Sequence, residues 1–291
     1  MNRRLFSLLS ACLTAFACLN AMADAGELRA KYGEVREQLR SNSYQRALHI
    51  DSAESGDTLR GDVYAVLDHP FGKVSDALKN PAQWCDILIL PFNTKYCHAV
   101  DTQAGPGLQV RIGRKYDQPV NNAYKIDFGW RSVAASPTYF ESRLDARNGP
   151  LGTRDYRITL SAVPLESGQT FVHLRYSYGY GVAGKLAMQG YLATVGADKI
   201  GFTVTGRDAE GKPQYIGGMR GAVERNAMRY YLAIDSYLDS LAAPPGQQAE
   251  KRIQNWFTET ERYPRQLREM DRGTYVAMKR QEVERQQTLL Q

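Results

Sequence analysis

One stretch of the chain has the spacing of a phosphate-cradling loop: Gly179-Tyr180-Gly181-Val182-Ala183-Gly184-Lys185-Leu186. In such a loop backbone N–H groups hold the phosphates and a Ser or Thr hydroxyl takes the magnesium. Leu186 stands where that hydroxyl belongs. The spacing therefore predicts a flexible turn hinged at Gly179, Gly181 and Gly184, and not a nucleotide site. His49, His69, His98 and His173 are scattered with no pair at ligand spacing, so no metal centre is expected. No GxSxG elbow for a serine nucleophile is present. No catalytic residue is assigned and no cofactor is implied. Two polar residues, Arg225 and Asn226, lie close to the apolar stripe of a long helix. They either enter a cavity and hold a ligand's polar end or form a solvated flank; the solvated flank is the expectation.

The chemistry open to the cysteines depends on compartment. Arg3 and Arg4 precede an apolar run, Leu5 to Leu19, and Ala21-Met22-Ala23 supplies small residues at the −3 and −1 positions. Residues 1–23 thus read as a secretory leader with Asp24 as the mature start, and the expected location is the periplasm. Leu9-Ser10-Ala11-Cys12 resembles a lipoprotein box but has too few apolar residues before it. Cys12 and Cys18 leave with the leader. Cys85 and Cys97 remain as a pair in an oxidising compartment, where a disulfide is expected; two buried free thiols are the other arrangement. Residues 1–23 hold two arginines and no acid, so the remaining 268 residues carry 35 basic and 31 acidic side chains, net +4. That balance gives no reason to expect nucleic acid. It leaves room for weak, transient attraction to an anionic membrane.

Periodicity places the elements. Leu28, Tyr32, Val35 and Leu39 recur at helical spacing, predicting a helix over 26–41. Two strand-like runs follow. Leu59, Gly61, Val63, Ala65 and Leu67 share a face of the second. Two short helices begin at Pro70 and Pro81. Six strands are predicted over about 93–101, 107–116, 122–132, 137–147, 153–163 and 169–180. One face is apolar; the other carries Arg111, Lys125, Asp127, Arg157, His173 and Arg175. Such a sheet is antiparallel, with one side packed and one side wet. A short helix over 183–195 and a strand over 200–205 precede the longest helix, 217–242. Its stripe runs Met219, Val223, Ala227, Tyr230, Ile234, Tyr237 and Leu241. Pro244-Pro245-Gly246 ends it. A charged, helix-prone tail, 247–291, carries Trp256 and Phe257 among its anchors; packing back onto the domain is the expected use of them.

The fold class is α+β: a curved antiparallel sheet gripping a long C-terminal helix, with an extra helical tail. This order resembles the helix-grip fold of the START (steroidogenic acute regulatory-related lipid transfer) superfamily over about residues 26–242. Asp68-His69-Pro70-Phe71 leading into the first inner helix, Trp84 in the second and the arginine-rich start of the last helix carry the resemblance. It divides the chain into a leader (1–23), a lipid-binding domain (24–243) and a tail (244–291) outside the pattern.

Composition alone, with 18 Tyr, 9 Phe and 3 Trp, favours an ordinary filled core. The resemblance implies a cavity instead. Its lining would include Trp84, Phe128, Trp130 and Tyr156, then Tyr176, Tyr178 and Tyr180 on the last strand, and Tyr191 on the short helix. The long helix would add Val223, Ala227, Tyr230 and Ile234. Burying about 400 Å² of apolar ligand at ~25 cal/mol per Å² is worth about 10 kcal/mol before association costs. The expected function is binding, and possible transfer, of a lipid or other apolar small molecule, with segment 181–200 opening the cavity. A cyclase- or hydrolase-type enzyme in the same cavity, and an envelope scaffold acting through the tail, are the other readings.

Overall fold

A computed structural model describes the backbone over residues 3–194 and 196–288, and side chains over 22–190, 192–194 and 196–287. The leader expected over residues 1–23 lies almost wholly outside the described side chains. The first helix, α1, spans Arg3–Arg40. Strands β1 (Leu48–Ser55) and β2 (Thr58–Leu67) follow, then helices α2 (Phe71–Leu78) and α3 (Pro81–Leu88). Six strands come next: β3 (Thr94–Thr102), β4 (Gly105–Ile112), β5 (Tyr124–Ala135), β6 (Phe140–Asn148), β7 (Thr153–Pro164) and β8 (Thr170–Tyr180). They form one eight-stranded sheet in the order β1-β2-β8-β7-β6-β5-β4-β3, with every neighbouring pair antiparallel. β1 and β3 are its edges, so the sheet curves without closing into a barrel.

Local chemistry sets the helices between β2 and β3. The Asn80 side chain accepts from Ala82 N at 2.9 Å, and Asn80 N donates to Gln83 Oε1 at 3.2 Å. With Pro81 at the first helical position, this capping box starts α3 where the sequence predicts it. Cys85 on α3 and Cys97 on β3 form a disulfide, Cα–Cα 5.1 Å. Closing so short a loop stabilises the fold by roughly 2–3 kcal/mol.

Helix α4 spans Val182–Ala193, and α5 (Gly218–Ser240) lies in the sheet's concave face against β1, β2 and β8. Gly61 explains how α5 seats so close. A Cβ there would stand 3.1 Å from Val223 O and 3.2 Å from Ala227 Cβ. The architecture is the α+β helix-grip fold. The single strand expected over 200–205 is instead an exposed hairpin, β9 (Val204–Arg207) with β10 (Pro213–Tyr215). Asp208 Oδ1 accepts from Glu210 N and Lys212 N and makes its turn. Neither strand has an apolar face, so alternation cannot reveal them.

The tail is helical: α6 (Pro245–Glu261), α7 (Pro264–Leu267) and α8 (Arg272–Thr288). It packs onto the domain. Trp256, Phe257 and Tyr275 are buried in the same core as the sheet, and Trp256 Nε1 donates to Arg229 O at 3.0 Å. Helix α8 covers the β3 edge. There Lys95 Nζ and Lys279 Nζ meet the two oxygens of Glu282 at 3.0 and 2.6 Å, all three side chains fully buried. No helix among the described residues is long and apolar enough to cross a membrane.

Candidate functional site

A cavity of about 410 Å³ lies between the concave face, α4 and α5. Its sheet wall is built by alternation. Val110, Ile126, Phe128 and Ile158 point in from β4, β5 and β7, and Tyr156, Tyr176 and Tyr178 from β7 and β8. The rings pack on one another. Tyr156 and Tyr178 stack at 5.3 Å, and Tyr176 meets Tyr230 of α5 edge-on at 5.2 Å. Tyr156 donates its hydroxyl to Thr153 Oγ1 at 2.8 Å. Those of Tyr176, Tyr178 and Tyr230 make no hydrogen bond among the described residues. Burial pushes all three phenols above their ordinary pKa, so they are neutral donors throughout the physiological range. A ring that packs on hydrocarbon while its hydroxyl stays open to a guest suits an apolar ligand with few polar points.

The other wall is mixed. Ala187 and Met188 of α4 cover the cavity, while Ala222, Asn226 and Tyr230 come from α5. Leu151 lines the mouth with a left-handed φ of 55°. It is 56 % exposed, and Val182 and Leu186 on α4 are 79 % and 63 % exposed.

Three cations also line it: Lys115, Arg225 and Arg229. Arg225 Nη1 donates to Ile200 O at 3.1 Å. Lys115 Nζ and Arg229 Nη2 both reach Glu269 Oε1, at 2.6 and 2.7 Å, and Lys199 Nζ takes Oε2 at 3.2 Å. Burial would raise the Glu269 carboxyl, but Arg229, Lys115 and Lys199 together hold it below the usual carboxylate range. Burial, then the neighbouring Arg229, brings the Lys115 ammonium down to about 8.

Of the residues expected in the lining, Phe128, Tyr156, Tyr176, Tyr178 and Tyr230 come together here. Six others lie elsewhere, each for a local reason. Trp84 is buried and donates Nε1 to Leu78 O at 3.1 Å, closing the end of α2. Trp130 is two residues beyond Phe128 and packs on the margin of the core. Tyr180 is carried past the cavity to the β1–β2 turn, where its hydroxyl donates to Glu54 at 2.7 Å. Val223 and Ala227 are pressed against Gly61, and Ile234 is sealed in closed core. The side chain of Tyr191 lies outside the described residues.

Two expectations from the residues are corrected. Arg225 is 3 % exposed and, with Asn226, faces the cavity and not solvent. The glycine run is not a loop: Gly179 belongs to β8, Gly184 to α4, and Gly181 alone connects them, leaving no span to wrap a phosphate. Sequence reasoning passed over Lys115, Arg229 and Glu269. Among the described residues no three metal-binding side chains gather. His173 pairs with Asp62 at 2.6 Å and His69 with Asp239 at 3.1 Å.

No protein-family model matches the chain, and no curated protein does. Among solved structures it is similar to a START superfamily protein from Mycobacterium smegmatis, 12% identical over 48% of this chain and 90% of that one, TM-score 0.32. It is similar to norcoclaurine synthase from Thalictrum flavum, 14% identical over 50% and 88%, TM-score 0.32. Ara h 8.0201 is 10% identical over 66% of this chain and 99% of its own, TM-score 0.35. The fold assignment stands on the strand order and the seat of α5.

Proposed function

We propose that the protein binds a small, largely apolar molecule in the cavity between α4, α5 and the concave face, and passes it on by exchange without bond chemistry. The observation that carries this reading is the cluster of Tyr176, Tyr178 and Tyr230. Their rings are packed in the core while their hydroxyls are left for a guest. An unoccupied hydroxyl inside a filled core would cost about 1–3 kcal/mol; beside a ligand or water it costs nothing. The carboxylate that Lys115 meets, Glu269, is shared with Arg229 and Lys199 and lies behind the lining. This supports binding over the cyclase or hydrolase reading.

Exchange with a membrane fits the mouth, where Leu151, Val182 and Leu186 present apolar side chains outward. α4 is the element that opens. The leader and the Cys85–Cys97 bridge fit work in the periplasm. The test is native mass spectrometry of purified protein, before and after exposure to lipid vesicles. An adduct of one small molecule per chain, released by organic solvent, is expected. Protein that carries nothing and takes up nothing overturns the reading.

A further inference from the structure

We infer that the cavity's guest carries an acceptor oxygen, such as that of a ketone, ester or ether, within an apolar framework, and that the hydroxyls of Tyr176, Tyr178 and Tyr230 receive it. This rests on the binding reading above and adds the chemical class of the guest.

Other tyrosines of the chain show what these hydroxyls lack. Tyr139 donates to Glu141 Oε2 at 2.6 Å and Tyr180 to Glu54 Oε1 at 2.7 Å. Tyr263 donates to Tyr44 O at 2.8 Å and Tyr275 to Leu90 O at 3.0 Å. Tyr156, inside the cavity cluster itself, donates to Thr153 Oγ1 at 2.8 Å. Each of the five gives its proton to an oxygen. Tyr176, Tyr178 and Tyr230 border the cavity with no such oxygen among the described residues. Water can supply one, but a guest that displaces the water has to bring its own or lose affinity.

The phenol sets the direction of the bond. Its oxygen lone pair is drawn into the ring, so the group donates more strongly than it accepts. Burial first, and then the neighbouring phenols of Tyr230, Tyr156 and Tyr178, oppose the ionisation of Tyr176, so the donor keeps its proton. The rings lie close together: Tyr176 is 5.6 Å from Tyr178 and 5.2 Å from Tyr230, centroid to centroid. A carbonyl oxygen has two lone pairs and accepts from two donors at once. Around this cluster Val110, Ile126, Phe128 and Ile158 supply the surface for the apolar framework. A pure hydrocarbon fills the same space and leaves the donors unpaired.

Equilibrium dialysis of the full chain with two probes of one shape tests the inference. 2-Acetylnaphthalene carries a ketone; 2-isopropylnaphthalene has the same outline and no oxygen. The double variant Tyr176→Phe/Tyr178→Phe is expected to bind the ketone about 10-fold more weakly than the wild type does. It is expected to bind the hydrocarbon no more weakly. Tyr230→Phe, made separately, is expected to weaken the ketone alone by about 3-fold. The infrared C=O stretch of the bound, carbon-13-labelled ketone is expected below its value in hexane, and to move back toward that value in the double variant. A stretch at the hexane value in the wild type, or variants that change both probes alike, overturns the inference and leaves apolar binding standing. Binding of neither probe overturns both.

Discussion

The two faces of the one sheet are made by the same strands and solve opposite problems. On the convex face, under α1, the buried carboxylates are saturated with partners. Asp62 is buried and takes Arg60, His173 and Arg175 at 2.9, 2.6 and 2.8 Å. Glu141 accepts from Tyr139, Arg143 and Ser161 at 2.6, 2.9 and 3.2 Å. On the concave face, one residue along in the strand, the Tyr176 and Tyr178 hydroxyls have no hydrogen-bond partner among the described residues and border the cavity. A pair of tyrosines makes the contrast plain: the Tyr139 hydroxyl has a 2.6 Å partner and the Tyr178 hydroxyl has none among the described residues. Saturated polar groups fix a structure; unsaturated ones beside a cavity wait for something.

Breaking the convex face is expected to have the largest effect. Asp62→Ala leaves Arg60, Arg175 and the His173 ring without the carboxylate they share and is expected to cost about 3–5 kcal/mol in urea denaturation, with dodecanol affinity unchanged in the fraction that stays folded. A drop in affinity without a loss of stability would reverse the roles assigned to the two faces.

Two substitutions on the concave side separate cavity from core. Ala187→Phe adds a ring beside the open space and is expected to abolish ligand uptake at little cost in stability. Ala65→Phe places the same ring in closed core and is expected to cost about 1–3 kcal/mol. Equal costs would mean that the cavity is not open space.

The faces should also differ in acid. Burial works to raise the Asp62 carboxyl, but His173 and Arg175 outweigh it and hold the group low. A folded-state pKa below the unfolded value of about 3.9 contributes stability above that pH, and the contribution is lost as pH falls through the lowered value. Thermal midpoints from about pH 5 to 2 should therefore fall more steeply in the wild type than in Asp62→Asn. The concave wall carries no carboxylate among its described residues; Glu269 behind it adds to the same limb.

The smallest effect is the most pointed. Tyr139→Phe removes a hydrogen bond to a carboxylate and is expected to cost about 1.5–3 kcal/mol. Tyr178→Phe removes a hydroxyl with no partner among the described residues and is expected to change stability by less than about 0.5 kcal/mol. Chemical denaturation of both measures the difference.

Much of the fold is legible in the sequence. All six strands β3 to β8 fall within a few residues of where the sequence puts them, with clear alternation in several, and the prolines at 70 and 81 mark α2 and α3. The stripe on α5 is harder to read because that helix is enclosed on both sides. The sheet covers the Val223–Ala227–Ile234 face, and segment 200–203 and α6, with Trp256, cover the back, so even Glu224, Arg225 and Arg229 are buried. A 3–4 repeat locates the face that packs tightest, which is the one with no room for a guest. The cavity falls on the adjacent face, at Ala222 and Asn226, and takes from the stripe Tyr230. Period-2 logic found the tyrosines on β8 but not where the strand leaves the cavity, so Tyr180 was grouped with Tyr176 and Tyr178. The cation cluster joins Lys115, Arg229 and Glu269 across more than 150 residues, and no local pattern announces it.

The most direct test of an open cavity under α5 follows two methionine methyl groups by NMR as 1-dodecanol is added. Met188 lines the cavity, while Met278 is buried at the α8 edge with its sulfur accepting from Lys95 at 3.3 Å. The account expects the Met188 signal to move and saturate while Met278 stays in place. A Met188 signal that does not respond, or one that moves no more than Met278, would contradict it.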